Sequence, residues 1–303
     1  MGSLVVLVLA SQSALRLSYS IASFFRVTNF SRAFVIAAFV VSLPELFVGI
    51  SSAVGGAPML SLGNVLGSNV IDLSLVAGIA VIVSKHFNAK SRALKVDSIV
   101  MAVLVLLPVV LALAGGGLSR LDGFILVLSF FAYIHVLWVE RKDYHKVLRL
   151  KISAGRAVAY TALMFLCIAV MFCASLLVVF FGEAVASFSA PLFVIGLVLV
   201  SLGTSIPEFS FTISSLVAGN GELSLGEIAG AVAINSSLVL GIVALIFPFA
   251  VSFASIVLPV VFLVLSLLLF VFFVECCSAG VRAGAVLVLV YIVFLVSQIY
   301  RPF

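Results

Sequence analysis

The sequence predicts an all-α polytopic membrane protein with ten transmembrane helices, arranged as two inverted-topology repeats of five. Of its 303 residues, 65% are hydrophobic and only 9% are charged, whereas a soluble domain has roughly 25% charged residues. So few charges cannot cover a water-facing surface, and the same apolar excess excludes a disordered chain. Apolar runs and a pair of acidic motifs recur along the chain, and they set the number of spans and the division into repeats.

Ten apolar segments are separated by charge clusters and by Gly, Pro and Asn residues. Each is long enough to cross a hydrocarbon layer of about 30 Å at about 1.5 Å of helix rise per residue. No basic region precedes the first apolar stretch, so we expect it to remain a span instead of being cleaved as a signal peptide. The segments lie near residues 4–25, 33–54, 59–83, 98–114, 121–139, 157–181, 191–218, 224–247, 253–274 and 281–299.

The distribution of basic residues predicts which connections face the cytoplasm. If the N-terminus lies outside, 13 of the 16 basic residues fall in inside connections, which agrees with the positive-inside rule. An even number of spans then returns the C-terminus to the outside of a multi-pass cell-membrane protein. The net charge of +5 therefore indicates orientation in a bilayer and not nucleic-acid binding. The inside residues are Arg26, Arg32, Lys85, Lys90, Arg92, Lys95, Arg141, Lys142, Lys146, Arg149, Lys151, Arg156 and Arg282.

The longest polar interruption, residues 140–156, predicts a basic cytoplasmic linker between a first half, 1–139, and a second half, 157–303. At an offset of 163 residues, the motif regions of the two halves superpose without a gap across more than thirty residues. Because each half holds an odd number of spans, the second copy must enter the membrane in the opposite sense, as in secondary transporters. The superposed pairs are Ser42 and Ser205, Pro44 and Pro207, Glu45 and Glu208, Gly63 and Gly226, Gly67 and Gly230, Asp72 and Asn235, Leu75 and Leu238, and Gly78 and Gly241.

An acid follows a proline in each repeat, deep in an apolar run: Glu45 after Pro44, and Glu208 after Pro207. A carboxylate at the bilayer centre costs about 2.5 to 3.5 kcal/mol, so both acids are expected to face the bundle interior and find a cation or a proton. Each proline removes one backbone donor and frees carbonyl oxygens that can coordinate a cation. The alternative is structural: the proline kinks its span and the glutamate bonds a neighbouring helix.

A glycine-containing segment follows each acid: residues 63–72 read GNVLGSNVID and residues 226–235 read GEIAGAVAIN. The glycines permit close helix approach or local unwinding, and Ser68 and Asp72 share a helix face because they are four residues apart. The oxygens near the two acids suit a hard cation that takes about six to eight ligands. Ca²⁺ fits better than Mg²⁺, and soft transition metals would favour His or Cys. The candidate ligands are Glu45, Glu208, Asp72, Asn235, Ser42, Ser205, Thr204 and Ser68.

These motifs resemble the two alpha repeats of the sodium/calcium exchanger family, within the calcium/cation antiporter superfamily. Residues 203–208, GTSIPE, match the family's Gly-Thr-Ser-x-Pro-Glu signature, and residues 63–69, GNVLGSN, match its Gly-Asn-x-x-Gly-Ser-Asn signature. The resemblance implies a central cation site formed by Glu45 and Glu208, with Asp72 and Asn235 beside them. It also implies that Na⁺ or protons compete with Ca²⁺ for overlapping oxygens while exposure alternates between the two sides of the membrane.

The chain departs from the family pattern at positions that usually carry side-chain oxygens. Val41 stands where the family usually has Thr, and Ala231 and Val232 replace a Ser and an Asn. Val41 keeps a carbonyl that can still serve as a ligand. The lost side-chain oxygens leave the coupling ion open between Na⁺ and H⁺.

The leading functional hypothesis is a secondary active antiporter that exchanges Ca²⁺ for Na⁺. The second keeps the fold but couples to protons, because a carboxylate in apolar surroundings can hold a proton near neutral pH. A channel is disfavoured because inverted internal symmetry is typical of alternating access. An enzyme is disfavoured because the three histidines, which are candidate bases, lie away from the repeat motifs. We expect no cofactor, a functional monomer, and the transported ions and the lipid bilayer as partners.

Two further charges stand in apolar segments. Arg16, on the first span, is expected to have a structural role by snorkelling, contacting lipid or pairing with an acid. Glu227, near the inner end of its span, is expected to be an interfacial charge, and the alternative is a cytoplasmic entry ligand.

Overall fold

The computed structural model of the chain describes residues 2–24, 38–84, 86–87, 92–140, 154–186, 191–219, 221–275 and 279–300. Most of these residues are helical, and three helices contain a π-helical turn. The helices are α1 (Gly2–Phe24), α2 (Leu43–Val54), α3 (Pro58–Val70, π turn Ile71–Val76, Ala77–Ser84), α4 (Arg92–Gly115), α5 (Arg120–Glu140), α6 (Ala154–Ala186), α7 (Leu192–Val194, π turn Ile195–Val200, Ser201–Thr204), α8 (Ile206–Val217), α9 (Gly221–Ile234, π turn Asn235–Val239, Leu240–Ile246), α10 (Phe253–Glu275) and α11 (Val281–Ile299).

The predicted ten-span, all-α fold is confirmed for the described part of the chain. Eight helical stretches are long and apolar enough to cross a membrane, with α7 and α8 together forming one of them. Shorter apolar helices in α1 and α2 supply the remaining two. The seventh span is broken at Ser205, between α7 and α8, as the nearby Pro207 predicts. The spans α3 and α9 are the most enclosed, so the centre of the bundle is built from the two glycine-containing segments.

Equivalent segments of the two repeats have matching backbone structure. At the offset of 163, α2 (Leu43–Val54) superposes on α8 (Ile206–Val217) at both ends. The turns that follow them also correspond, since Gly56 and Gly219 both adopt a left-handed conformation, with φ of 78° and 76°. The π turns of α3 and α9 fall at equivalent positions as well. The repeat is therefore a property of the local backbone and not only of the motif residues.

Four two-residue strands join the connections between spans, and the sequence analysis did not predict them. They are β1 (His86–Phe87), β2 (Gly117–Leu118), β3 (Phe249–Ala250) and β4 (Ala279–Gly280). Strand β1 pairs antiparallel with β4, and β2 pairs antiparallel with β3. The inverted repeat relates the first pair of strands to the second. Because the continuous helix α4 separates β1 from β2, the two pairs lie at opposite ends of the bundle.

Glycines bring the two repeats together at the centre of the bundle. A Cβ on Gly63 would lie 2.0 Å from the carbonyl oxygen of Phe193, and one on Gly67 would lie 2.2 Å from that of Leu197. No side chain fits at such distances, so these glycines allow α3 to contact the backbone of α7. Equivalent close approaches join Gly78 to Gly284 and Gly241 to Gly123.

The linker predicted at 140–156 lies mainly outside the described residues, which omit 141–153. Its two ends differ from the prediction, because Glu140 is the last residue of α5 and α6 begins at Ala154. The division into halves 1–139 and 157–303 stays a prediction.

Candidate cation-binding site

Each repeat contains a helix break immediately before its acid. Ser42 and Ser205 occupy these breaks with nearly identical backbone angles, φ −79° and ψ 3° for Ser42, and φ −80° and ψ 0° for Ser205. Pro44 and Pro207 stand in the first turn of the next helix, where a missing N–H is tolerated. Neither proline can donate to the carbonyl four residues earlier, so each break leaves a backbone oxygen without its usual helical donor.

The helix breaks bring the acids to the π turns of the opposite repeat. Helix α2, which carries Glu45, contacts the π turn that contains Asn235, and α8, which carries Glu208, contacts the π turn that contains Asp72. All four side chains are fully buried. The Glu208 carboxylate lies within electrostatic reach of both Glu45 and Asp72. Three buried acids and one buried amide from the two repeats therefore lie in one region of the bundle, here called the cluster.

Hydroxyl groups surround the Glu45 carboxylate. Ser68 Oγ donates to Glu45 Oε1 at 3.4 Å, and the Thr204 hydroxyl also faces this carboxylate. Thr204 Oγ1 lies 3.4 Å from Ser68 Oγ and donates to Asn64 Oδ1 at 3.0 Å. Ser68 belongs to the first repeat and Thr204 to the second, so the surroundings of Glu45 are built from both.

The Glu208 carboxylate lacks equivalent hydroxyls, and neither of its oxygens has a hydrogen-bond partner among the residues that the structure describes. At the offset of 163, the positions of Ser68 and Thr204 correspond to Ala231 and Val41. Both of these side chains are fully buried and apolar. The departures from the family pattern thus remove oxygens beside one acid while the other keeps them. The cluster is symmetric in its backbone and asymmetric in its side-chain oxygens.

The π turns present Asp72 and Asn235 to the cluster. In each turn a serine hydroxyl bonds the carbonyl four residues back: Ser74 to Val70, and Ser237 to Ala233 at 2.6 Å. Such back-bonding perturbs helical hydrogen bonding, and π turns of this kind occur frequently at functional sites. The side-chain polar atoms of Asp72 and Asn235 have no hydrogen-bond partner.

The predicted hydroxyl ligands fall into two groups. Ser42 Oγ and Ser205 Oγ are buried and unpartnered, whereas Ser68 and Thr204 bond within the cluster. A buried polar group without a partner costs about 1 to 3 kcal/mol, so the free oxygens favour a bound cation. Within the described ranges, no three His, Cys, Asp or Glu side chains form a preassembled metal centre. The oxygens come from mixed carboxylate, hydroxyl and amide groups.

Sequence reasoning missed an amide link between the repeats. Asn69 Nδ2 donates to Ser236 Oγ at 2.8 Å, and both residues are buried. Asn64 and Asn69 both belong to the 63–69 signature. The motif therefore indicated these two amides but not the residues to which they bond. The equivalents of Asn69 and Ser236 at the offset of 163 are Val232 and Leu73, so this bond has no second copy.

The expectation for Glu227 is wrong. Its side chain is fully buried between helices and is not an exposed charge, and its Oε2 accepts a hydrogen bond from Thr212 Oγ1 at 3.3 Å. Charge and span position alone could not show that α8 covers this residue. Arg16 has an exposed side chain on α1.

Comparison with known proteins gives the family. The family model described as "Sodium/calcium exchanger protein" matches residues 1–139 and 159–300. The chain belongs to the sodium/calcium exchanger family. This member is 28% identical to "Sodium/calcium exchanger MaX1" of Methanosarcina acetivorans, over 98% of the chain and 96% of that relative. It is 30% identical to "Inner membrane protein YrbG" of Escherichia coli, over 68% of the chain and 66% of that relative, slightly under two thirds of its length.

A solved structure has the same fold as this family member. The sodium–calcium exchanger NCX_Mj, soaked with Na⁺ and Sr²⁺, superposes with a TM-score of 0.71 over 99% of this chain and 96% of that chain. The sequences are 23% identical in this superposition, so the likeness concerns the fold alone.

Proposed function

We propose that the chain is a secondary active antiporter that exchanges Ca²⁺ for Na⁺ across the membrane by alternating access. The observation that carries this proposal is that Glu45 and Glu208, at equivalent positions of the two repeats, are both fully buried on helices that pack against the π turns of the opposite repeat. Membership of the sodium/calcium exchanger family supports the exchange of Na⁺ for Ca²⁺. The relative named MaX1 carries the words sodium/calcium exchanger in its name, and the NCX_Mj structure was soaked with Na⁺ and Sr²⁺.

The transported Ca²⁺ would bind between the two glutamates, with Asp72 and Asn235 beside them. Carboxylate, amide, hydroxyl and carbonyl oxygens are the ligands that Ca²⁺ prefers, and the cluster offers all four kinds. Hydroxyl ligands would come from Ser42, Ser205, Thr204 and Ser68, and the carbonyl of Val41 would serve where the threonine is missing.

Competition for these oxygens explains obligatory exchange. Glu45, Asp72 and Glu208 bring up to three negative charges into the bundle, and an uncompensated buried charge is strongly unfavourable. The cluster without a bound cation therefore resists the occluded state through which the protein changes its exposure. Either Ca²⁺ or several Na⁺ ions lower this penalty, and overlapping ligands prevent both from binding together. The two ions must then cross in alternate steps.

The arrangement in the membrane follows from the same proposal. The chain would be a multi-pass cell-membrane protein with both termini outside and the 140–156 connection in the cytoplasm. Strands β1 and β4 join connections that the basic residues place inside, and their pairing agrees with both connections lying at the same end of the bundle. We expect a transporter without catalytic activity or cofactor that functions as a monomer in the lipid bilayer.

Ion flux tests the exchange activity. Proteoliposomes loaded with Na⁺ and diluted into Na⁺-free medium with ⁴⁵Ca²⁺ should accumulate calcium, and vesicles with equal Na⁺ on both sides should not. Uptake should also stop when a Na⁺ ionophore collapses the gradient. Calcium uptake driven by a pH gradient without Na⁺ would instead select proton coupling, and uptake without any counter-ion would contradict antiport.

Restoring the missing threonine should strengthen ion binding. Val41→Thr is nearly isosteric and places a hydroxyl where, by the inverted repeat, it faces Glu208 as Thr204 faces Glu45. An interaction with a charged group contributes about 1.5 kcal/mol or more, so the Na⁺ concentration for half-maximal exchange should fall about tenfold. Val178→Thr, at a buried position on α6 in an apolar cluster, is the control and should leave this concentration unchanged. An unchanged value in Val41→Thr would contradict the proposed asymmetry.

A further inference from the structure

A fourth buried acid lies beside the cluster without belonging to its predicted ligands. Glu227 is fully buried on α9 and lies within electrostatic reach of Glu45 and Glu208. Thr212 Oγ1 on α8 donates to its Oε2 at 3.3 Å, and no described residue bonds its Oε1. One carboxylate oxygen is thus held in place while the other is free to bind a ligand.

Two hydroxyls stand on the same helix faces as these acids. Ser224 precedes Glu227 by three residues on α9 and is fully buried, and its Oγ has no hydrogen-bond partner in the described ranges. Thr212 follows Glu208 by four residues on α8, so the two share a face. Helices α8 and α9 pack directly against each other. A carboxylate and two hydroxyls therefore lie about one helical turn from the central cluster, on the side of the α8–α9 connection.

The first repeat lacks the equivalent arrangement. At the offset of 163, Thr212 corresponds to Gly49 and Glu227 to Asn64, a residue without charge. A Cβ on Gly49 would lie 3.2 Å from the oxygen of Ser61, the equivalent of Ser224, so the backbone positions do converge in the first repeat. Asn64 Oδ1 already accepts a hydrogen bond from Thr204. Only the second repeat therefore offers an acid with a free oxygen at this depth.

We infer that Glu227, Thr212 and Ser224 form an additional Na⁺ subsite on the side of the central cluster that faces the α8–α9 connection. The inference rests on the proposed Na⁺ coupling. A single carboxylate with neutral hydroxyls balances one positive charge, which suits a monovalent ion better than Ca²⁺. Hydroxyl and carboxylate oxygens are hard ligands that suit Na⁺. The subsite belongs to the second repeat alone. The protein would therefore bind one more Na⁺ ion, on the side of the α8–α9 connection, than the symmetry of the two repeats predicts.

Equilibrium binding of ²²Na⁺ to the purified full-length protein, without Ca²⁺, tests the subsite independently of transport. Glu227→Gln should lose one bound Na⁺ per protein relative to the wild type. Thr212→Val and Ser224→Ala should keep the stoichiometry but raise the dissociation constant of one Na⁺ by about tenfold. Ser175→Ala, which removes a buried hydroxyl that bonds Ser51 and the carbonyl of Phe172, is the control and should bind as the wild type does.

A second measurement separates the subsite from the central site. Exchange of ⁴⁵Ca²⁺ for Ca²⁺ without Na⁺ requires only the central cluster, so a folded Glu227→Gln variant should still carry it out, with a lower apparent Ca²⁺ affinity because a nearby negative charge is removed. Unchanged ²²Na⁺ stoichiometry in Glu227→Gln would overturn the inference, as would the loss of Ca²⁺/Ca²⁺ exchange in a folded variant. Failure of the proposed exchange function looks different, because the wild type would then show no Na⁺-driven Ca²⁺ uptake.

Discussion

Glu208→Gln should abolish Na⁺-driven Ca²⁺ uptake, with a loss of at least about 100-fold, equivalent to about 2.7 kcal/mol. Within the described part of the chain, neither oxygen of this carboxylate has a hydrogen-bond partner, so both are available to the transported ion. The glutamine keeps the size of the side chain but removes the charge and replaces one oxygen with an N–H donor. Initial rates of ⁴⁵Ca²⁺ uptake into Na⁺-loaded proteoliposomes measure the effect. Glu45→Gln should cause a comparable loss.

Thermal stability distinguishes this loss from misfolding. Removing an uncompensated buried charge commonly leaves a folded protein as stable or more stable. In the absence of Na⁺ and Ca²⁺, the purified Glu208→Gln variant should therefore unfold at a temperature no lower than the wild type. Glu183→Gln, which changes an exposed acid on α6, is the matched control and should transport normally. A Glu208→Gln variant that is folded and still active would exclude this carboxylate as an essential ligand.

The repeat and the main acids could be predicted because they leave strong local signals. A glutamate after a proline in an apolar run has few structural explanations, and its duplication at a fixed offset indicates both symmetry and interior position. The ten spans followed from length and hydropathy. These inferences need no knowledge of which helices touch, since the bilayer itself restricts the possible structures.

Contacts between distant segments could not be predicted in the same way. The burial of Glu227 depends on the packing of α8 against α9, which the sequence does not show. From charge and span position alone, this residue is expected at the interface. The Asn69–Ser236 bond joins residues 167 positions apart, and no spacing rule connects them. The strand pairs also involve segments too short to carry a periodic pattern.

The unequal surroundings of the two glutamates required both kinds of information. The sequence shows that Val41 and Ala231 lack oxygens, but not which acid they face. The structure places the hydroxyls of Ser68 and Thr204 at Glu45, and the inverted repeat then assigns the apolar pair to Glu208. An approximate twofold backbone with unequal side chains makes the states open to the two sides chemically different. Such inequality permits different Na⁺ affinities on the two sides of the membrane.

The second large expected effect concerns the carboxylate of Asp72, which can be moved to the equivalent position of the other repeat, Asn235. Asp72→Asn reduces the cluster from three acids to two and should lower Na⁺-driven Ca²⁺ uptake at least about tenfold. Asn235→Asp adds a fourth acid at the equivalent position and should also impair transport, because crowded buried carboxylates repel each other. The double variant Asp72→Asn/Asn235→Asp restores three acids. It should regain most of the activity lost by Asp72→Asn alone.

The recovery follows from the exchanged contacts of the π turns. Residue 72 lies in the turn that contacts α8, the helix of Glu208, and residue 235 lies in the turn that contacts α2, the helix of Glu45. The relocated carboxylate would therefore join the same cluster from its other side. Uptake rates of the wild type, the two single variants and the double variant form a mutant cycle. If the double variant shows only the summed losses of the two single variants, the two positions do not share one site, and a single cluster for Ca²⁺ and Na⁺ is excluded.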